Sequence, residues 1–96
     1  MDNKTEKEIY SEVLQKLINH LQTRNDVQNI DLMNLSGFCR NCLSKWFKSA
    51  AERKNISISY DEAREKIYGM PYDEWKNKYQ KEANKEQLEQ YKNKKD

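Results

Sequence analysis

Apolar residues recur at helical spacing along most of this chain. Residues three and four positions apart lie on the same face of an α-helix, so this spacing predicts amphipathic helices. Glycine occurs twice and proline once, and no stretch of useful length alternates between apolar and polar residues as a strand would. The pattern predicts an all-α fold: a compact small domain of four or five amphipathic helices.

The first predicted helix begins at Thr5, which can form a capping box with Glu8, and extends to about Thr23. Its apolar residues span half of the helix circumference, as expected of a helix that lies on a core. They are Ile9, Tyr10, Val13, Leu14, Leu17, Ile18 and Leu21. His20 lies at the margin of this apolar arc.

The second predicted helix begins near Asn29, and Ser36 and Gly37 leave two alternatives for its course. If a new helix began at Ser36, Cys39 would lie in a first turn, where the helix dipole favours the thiolate. If the helix continued, both cysteines would lie in its middle. The periodicity favours continuity, because the apolar residues fall in one arc when indexed as a single helix. That arc contains Leu32, Leu35, Cys39, Cys42, Leu43, Trp46 and Ala50.

The strongest chemical signal is the C-x-x-C pair of Cys39 and Cys42. In a continuous helix their Cβ atoms would be about 5 to 6 Å apart, farther than the roughly 3.5 to 4.5 Å of a disulfide, which argues against a redox pair. With His20, the two thiolates could hold zinc or iron if a carboxylate, water or second subunit completed the site. Free cysteine is also among the most buried residue types, so a simple core role is the alternative.

The second half of the chain predicts shorter helices joined by tight corners. Ser59 and Glu62 form a capping box, Gly69 suits a helix end, and Pro71 suits the start of the next helix. Asn84 can cap a last helical stretch. An aromatic ridge follows the corner and predicts closure over the core or, alternatively, a partner site; it consists of Tyr68, Tyr72, Trp75 and Tyr79.

Composition limits the size of the core and the class of partner. A chain of 96 residues forms one domain, residues 1–96, with residues 1–4 and about 92–96 expected to fray. Apolar and charged residues each make up 35%, so one modest core is expected, and a homodimer would hide further apolar surface. The net charge is +2 with both signs interspersed, which argues against a nucleic-acid binder.

The chain has neither a signal-peptide pattern at its N-terminus nor an apolar run of the roughly 18 residues that a membrane span needs. A cytoplasmic protein without membrane attachment is therefore expected. In that reducing compartment, two cysteines are normally thiols or metal ligands.

Two long blocks resemble a family of short, mostly proteobacterial proteins classed as a domain of unknown function. The blocks are DVQNIDLMNLSGFCRNCLSKW and DEAREKIYGMPYDEWK. The resemblance extends over roughly residues 6–80 and implies a small, all-helical, cytosolic protein. It implies no particular activity.

Polar groups are crowded on and beside the second predicted helix. They are either caps and a solvated face or a partner surface, formed by Asn29, Asp31, Asn34, Arg40, Asn41, Tyr72 and Trp75. The best functional hypothesis is a small binding or interaction module whose partner is a protein, a small ligand or a second copy of the chain. The alternative is a small metal- or thiol-dependent enzyme that uses Cys39, Cys42 and His20.

Overall fold

The fold is all-helical over residues 1–94, the part of the chain that a computed structural model describes. No strand occurs within that range, so the predicted all-α class is confirmed. The predicted number of helices was slightly low. The described residues form six helices: α1 (Asn3–Gln22), α2 (Asn29–Ser36), α3 (Arg40–Arg53), α4 (Tyr60–Tyr68), α5 (Tyr72–Tyr79) and α6 (Lys85–Lys94).

Residues 1–4 and about 92–96 were predicted to fray, and helices extend into both segments. Helix α1 begins at Asn3, and α6 extends to Lys94. Residues 95 and 96, which belong to the segment predicted to fray, lie outside the described residues. None of the helices in the described part of the chain is both long enough and apolar enough to cross a bilayer.

Local capping chemistry explains where several helices begin and end. Helix α1 begins earlier than predicted because Asp2, not Thr5, is its N-cap: the Asp2 carboxylate accepts a hydrogen bond from the Thr5 backbone N–H at 2.7 Å. The predicted capping box of Ser59 and Glu62 is confirmed at the start of α4. Gly69 ends α4 with φ of +77°, a left-handed conformation that favours glycine.

The chain breaks at Gly37, where the periodicity predicted a continuous helix. Gly37 has φ of +82°, and its N–H donates to the carbonyl of Met33, as at a helix C-terminus. Two residues later, Cys39 is extended and α3 begins. The prediction of continuity was wrong because its apolar arc was not one buried stripe: Leu35 is 82% exposed and Trp46 is 57% exposed.

The core lies where α1, α3, α4 and α5 meet. Its buried residues are Ile18, Leu21, Leu43, Ile67, Tyr68 and Trp75. The rings of Tyr68 and Trp75 pack edge to face with centroids 5.0 Å apart, and Tyr72 and Tyr79 pack against the same cluster. The predicted aromatic ridge therefore closes over the core.

The molecule is elongated, and α1 extends beyond the core. Its principal dimensions are 48 × 28 × 26 Å. Its radius of gyration is 15.2 Å, compared with about 12.5 Å for a compact chain of this length. Ile18 and Leu21 are the buried residues of α1, while the stretch from Asn3 to Leu17 is exposed except for half-buried Glu6. The core thus holds α1 by its C-terminal end.

Candidate functional site

The two cysteines lie at the N-terminal end of α3. Cys39 is the N-cap residue, and Cys42 lies in the first turn. Their predicted position in the middle of a helix was wrong, because Gly37 ends α2 just before them. Both are free thiols.

Burial controls the chemistry of Cys39. It raises the pKa of the Cys39 thiol above the usual value of 9.0, because a buried thiolate loses its hydration. The backbone N–H groups of Cys42 and Asn41 lower this pKa, but their effect is smaller. Cys42 is half-buried, with its Sγ 3.9 Å from the Sδ of Met33. Cys39 therefore has the properties of a structural cysteine, since reactive cysteines need an accessible thiolate.

The structure does not support the predicted metal site. His20 is exposed in the last turn of α1. Within residues 1–94, no group of three or more His, Cys, Asp or Glu residues could hold a metal ion. A zinc or iron site of Cys39, Cys42 and His20, and an enzyme based on these three residues, stay predictions.

Arg40 was expected on a solvated face or a partner surface, but it is only 1% exposed. Its guanidinium donates hydrogen bonds to the carbonyls of Val27 and Arg24, both at 2.8 Å, and to the Oδ1 of Asn29 at 3.0 Å. Its Cζ also lies 5.0 Å from the centroid of the Trp75 ring, within the range of a cation–π contact. Arg40 therefore fastens the α1–α2 connection to the core and is not available to a partner.

Trp75 is also buried, so the predicted partner surface does not include it in this structure. Its Nε1–H donates to the Oδ1 of Asn25 at 2.9 Å. Tyr68, which packs on its ring, donates from its hydroxyl to the Oδ1 of Asn41 at 2.7 Å and accepts from the Nδ2 of Asn29 at 3.0 Å. Polar residues that were expected to face solvent thus form a hydrogen-bonded layer around the aromatic core.

Helix α6 engages two further residues of the predicted partner surface. The Oδ1 of Asp31 accepts from the Gln87 Nε2 at 2.8 Å, and the Nδ2 of Asn34 donates to the Gln87 carbonyl at 3.1 Å. Asn34 is 4% exposed, and its Oδ1 accepts no hydrogen bond from the part of the chain that the structure describes. Asp31 and Asn34 therefore help to hold α6 against α2.

Three residues of the predicted partner surface do share an open cleft. Asn29, Asn41 and Tyr72 line a space of about 370 Å³, and the segment after α5 provides Lys81 and Glu82 to its wall. An external group could reach Asn29, Asn41 and Tyr72 from this cleft.

A broad apolar surface lies on α1 and α3, and we call it the α1–α3 face. It consists of Ile9, Tyr10, Val13, Leu14, Leu17, Trp46 and Phe47. On α1, Ile9, Val13 and Leu17 are 44%, 62% and 40% exposed. The prediction that the whole apolar arc of α1 lies on the core was wrong, because the core reaches only the C-terminal end of this helix.

A cleft extends the α1–α3 face between the two helices. Leu14, Trp46 and Phe47 line this cleft, which has a volume of about 220 Å³ and is closed below by core residues such as Ile67. Sequence reasoning did not select Trp46 and Phe47 as site residues. The available signal was the width of the apolar arc on α1, which is large for a chain that can form only a modest core.

Comparison with protein families identifies a match over residues 27–93 to the family described as "Protein of unknown function (DUF1244)". The matched part contains α2 to α5 and most of α6, including both cysteines, Arg40 and the aromatic corner. None of the curated proteins compared with the chain matches it. Since the match covers most of the 96 residues, the resemblance noted in the two sequence blocks is confirmed, and the chain belongs to this family of proteins of unknown function.

Proposed function

We propose that this protein is an interaction module that binds an amphipathic helix of a partner protein on the α1–α3 face. The observation that carries the proposal is the exposure of Ile9, Val13 and Leu17 along successive turns of α1. The neighbouring Leu14 shares a cleft with exposed Trp46 and Phe47 of α3. Contiguous apolar patches on soluble proteins mark binding surfaces when they are larger than the scattered apolar residues of an ordinary surface.

The shape of the α1–α3 face suits a helix. Its stripe follows α1, a helix of 20 residues that is about 30 Å long. The cleft beside Leu14 and Trp46 can receive an apolar anchor side chain, as in helix-in-groove recognition. Exposed Glu12 and Lys16 lie beside the stripe and provide a polar rim with both charge signs.

The accessible surface of the chain supports the same proposal. A compact monomer of 11.6 kDa has an accessible surface of about 5,800 Å², whereas this chain exposes 7469 Å². The excess is roughly twice the 800 Å² that one partner contributes to an interface of standard size. A partner on α1 would therefore bring the chain closer to the surface expected for its mass.

The energetics of α1 also favour a partner. Most of the stability of a protein helix comes from packing of its apolar face, and short helices in water are marginal without it. The exposed part of α1 has its N-cap at Asp2 and an exposed hydrogen bond between Tyr10 and Glu6, which are small contributions. A partner helix on Val13 and its neighbours would provide the missing packing.

The test compares the size of the protein in extracts of cells that naturally express it. Val13→Lys places a charge at the centre of the α1–α3 face, and Gln15→Lys makes the same charge change on the exposed, polar side of α1. We expect the wild type and Gln15→Lys each to elute at the same volume, larger in size than the monomer, because each is bound to its partner. Val13→Lys should elute as the monomer. Equal elution of all three proteins would contradict the proposed function.

A further inference from the structure

We infer that the helix that occupies the α1–α3 face is α1 of a second copy of this chain, packed antiparallel to the first. This inference rests on the proposed function, since it identifies the partner at the same surface. It is carried by the symmetry of the stripe, by the groups at its two ends and by the position of the α3 residues.

The stripe on α1 is symmetric about Val13. Glu6, Ile9, Val13, Leu17 and His20 follow one another at intervals of 3, 4, 4 and 3 residues. Such intervals place all five on one side of a helix. An antiparallel pair centred on Val13 sets Val13 against its counterpart and Ile9 against Leu17 of the second copy, so every apolar position of the stripe meets an apolar position.

The polar residues at the two ends of the stripe, Glu6 and His20, can pair with each other in the antiparallel arrangement centred on Val13. Glu6 and His20 are both seven residues from Val13, in opposite directions. In the antiparallel pair, each Glu6 carboxylate meets the imidazole of His20 on the second copy, which can donate a hydrogen bond to it. A parallel pair would instead set Glu6 against Glu6, where like charges repel.

The α3 part of the face fits this arrangement as well. In an antiparallel pair, the N-terminal half of α1 from the second copy passes beside Leu14 and Leu17 of the first. Leu14 lines the cleft together with Trp46 and Phe47. The exposed apolar residues at the N-terminal half, Ile9 and Tyr10, therefore reach the Trp46 and Phe47 side chains of the other copy, and α1 lies against both parts of the face.

The experiment uses the purified full chain with single cysteine substitutions and a short bis-maleimide crosslinker. In the proposed pair, Val13→Cys lies at the symmetry axis and should crosslink to itself. Ile9→Cys and its counterpart are about 12 Å apart along the axis, as are the two copies of Leu17→Cys, so neither variant should crosslink alone. A mixture of Ile9→Cys and Leu17→Cys should crosslink. The unsubstituted protein shows the background from Cys39 and Cys42, and peptide mapping assigns each crosslink.

The outcomes distinguish this inference from the proposed function. Self-crosslinking of all three variants would indicate a parallel pair and overturn the inference while leaving the α1–α3 face as an interaction site. A purified chain that is monomeric by analytical ultracentrifugation, but elutes in a complex in the extract, would also overturn the inference alone. A chain that is monomeric in both settings would overturn both.

A charge exchange provides a second measurement without cysteines. His20→Glu should weaken the dimer about tenfold, because it sets two pairs of like charges against each other. Adding Glu6→Lys to this variant places opposite charges at the two positions again, with their order exchanged. We expect the dissociation constant of the dimer to return to within about threefold of the wild type. The inference would be overturned if the second substitution gave no recovery, since Glu6 and His20 would then not face each other.

Discussion

Arg40 is a charged side chain that the fold buries completely. A buried guanidinium loses several kcal/mol of hydration unless hydrogen bonds replace its water. Three oxygens do so here, and two of them, the carbonyls of Arg24 and Val27, lie in the loop between α1 and α2. Arg40 thus satisfies backbone groups that the irregular loop leaves without helix partners.

We expect Arg40→Ala to lower the free energy of unfolding by about 3 kcal/mol, because it removes the hydrogen bonds to the Val27 carbonyl and the Asn29 side chain and one of the two that the Arg24 carbonyl accepts. Arg40→Lys should recover little of this loss, since one ammonium group cannot reproduce the planar fork of donors. Urea unfolding at neutral pH measures both values. Arg53→Ala, at the exposed end of α3, is the control and should change the free energy by less than about 0.5 kcal/mol. A stable Arg40→Lys protein would contradict this role.

The buried thiol of Cys39 and the buried phenol of Tyr68 lead us to expect that the protein loses stability at high pH. Burial raises the pKa of Cys39 above 9.0 and the pKa of Tyr68 well above 10.0, because their charged forms would lose hydration. In the unfolded chain both groups release their protons at lower pH, so their contribution is present below about pH 8.5 and is lost as the pH rises through 10 and beyond.

Urea unfolding between pH 8 and pH 11 should therefore show a continuous decrease in the free energy of unfolding. Tyr68→Phe removes the phenol, and we expect a shallower decrease for this variant above about pH 10. Parallel curves for the two proteins would show that Tyr68 is not responsible.

At the level of single residues, the sequence predicts local hydrogen bonds well, but it predicts poorly which residues are buried. The capping box of Ser59 and Glu62 could be recognised because both partners lie within one turn. The burial of Arg40 could not, because its acceptors depend on the path of a loop 11 to 16 positions earlier in the chain. The same reason explains why the hydrogen bonds of Asn29 and Asn41 to the hydroxyl of Tyr68, 39 and 27 positions away in the chain, could not be predicted.

Two glycines end helices in the left-handed conformation, but their surroundings differ. A Cβ atom at Gly37 would meet nothing within 4 Å, whereas a Cβ atom at Gly69 would lie 2.8 Å from the Cδ of Gln22. Gln22 is held in place by the hydrogen bond from its Nε2 to the carbonyl of Ile67 at 3.0 Å. An alanine at position 69 would therefore displace the Gln22 side chain and disturb its hydrogen bond to α4, in addition to straining the turn.

We expect Gly37→Ala to cost about 1 kcal/mol, the usual strain of a left-handed alanine, and Gly69→Ala to cost about 1 kcal/mol more. Thermal or urea unfolding of the two variants measures this difference directly. In a Gln22→Ala background the additional cost at Gly69 should disappear, because the clashing side chain has been removed. An equal cost at both glycines in the wild-type background would contradict a contact with Gln22.

Gln87 links α6 to α2 through its side chain and its backbone. Gln87 bonds Asp31 through its amide and Asn34 through its carbonyl. Gln87→Ala removes the side-chain bond to Asp31 and the capping bond that the Gln87 Oε1 accepts from the Asn84 N–H. We expect faster backbone hydrogen exchange in α6, by about fivefold for a loss of roughly 1 kcal/mol. Gln90→Ala, at an exposed position of the same helix, should leave exchange unchanged. Equal exchange in both variants would show that Gln87 does not hold α6.

At the level of helices, periodicity predicted the class of fold but not the extent of contact. The apolar arc of α1 correctly predicted a helix, yet it gave no distinction between Ile18, which the core covers, and Val13, which it does not. Val13 and Ile18 are both apolar residues of the same helical arc, because a residue that contacts a partner protein is as apolar as one that contacts the core. The break at Gly37 was missed for a related reason. Leu35 before it and Trp46 after it were assigned to one buried stripe, but both are exposed.

The shape of the whole molecule connects these observations. The core holds only the end of α1, and the remaining turns carry an apolar stripe into solvent. A chain of this size can bury only a limited fraction of its surface by itself, so association is the available route to further stability. If two copies pair through α1, folding and dimerisation are coupled, and the stability of the protein depends on its concentration.

We therefore expect the melting temperature to rise with protein concentration. For a coupled dimer of this length, a roughly hundredfold increase should raise it by about 5 °C, whereas a monomer would show no change. Val13→Lys should melt at the same temperature at every concentration, because it introduces a charge at the centre of the stripe. Gln15→Lys, with the same charge change on the polar side of α1, should behave as the wild type. A concentration-independent melting temperature for the wild type would mean that the stripe on α1 does not contribute to stability through a second copy.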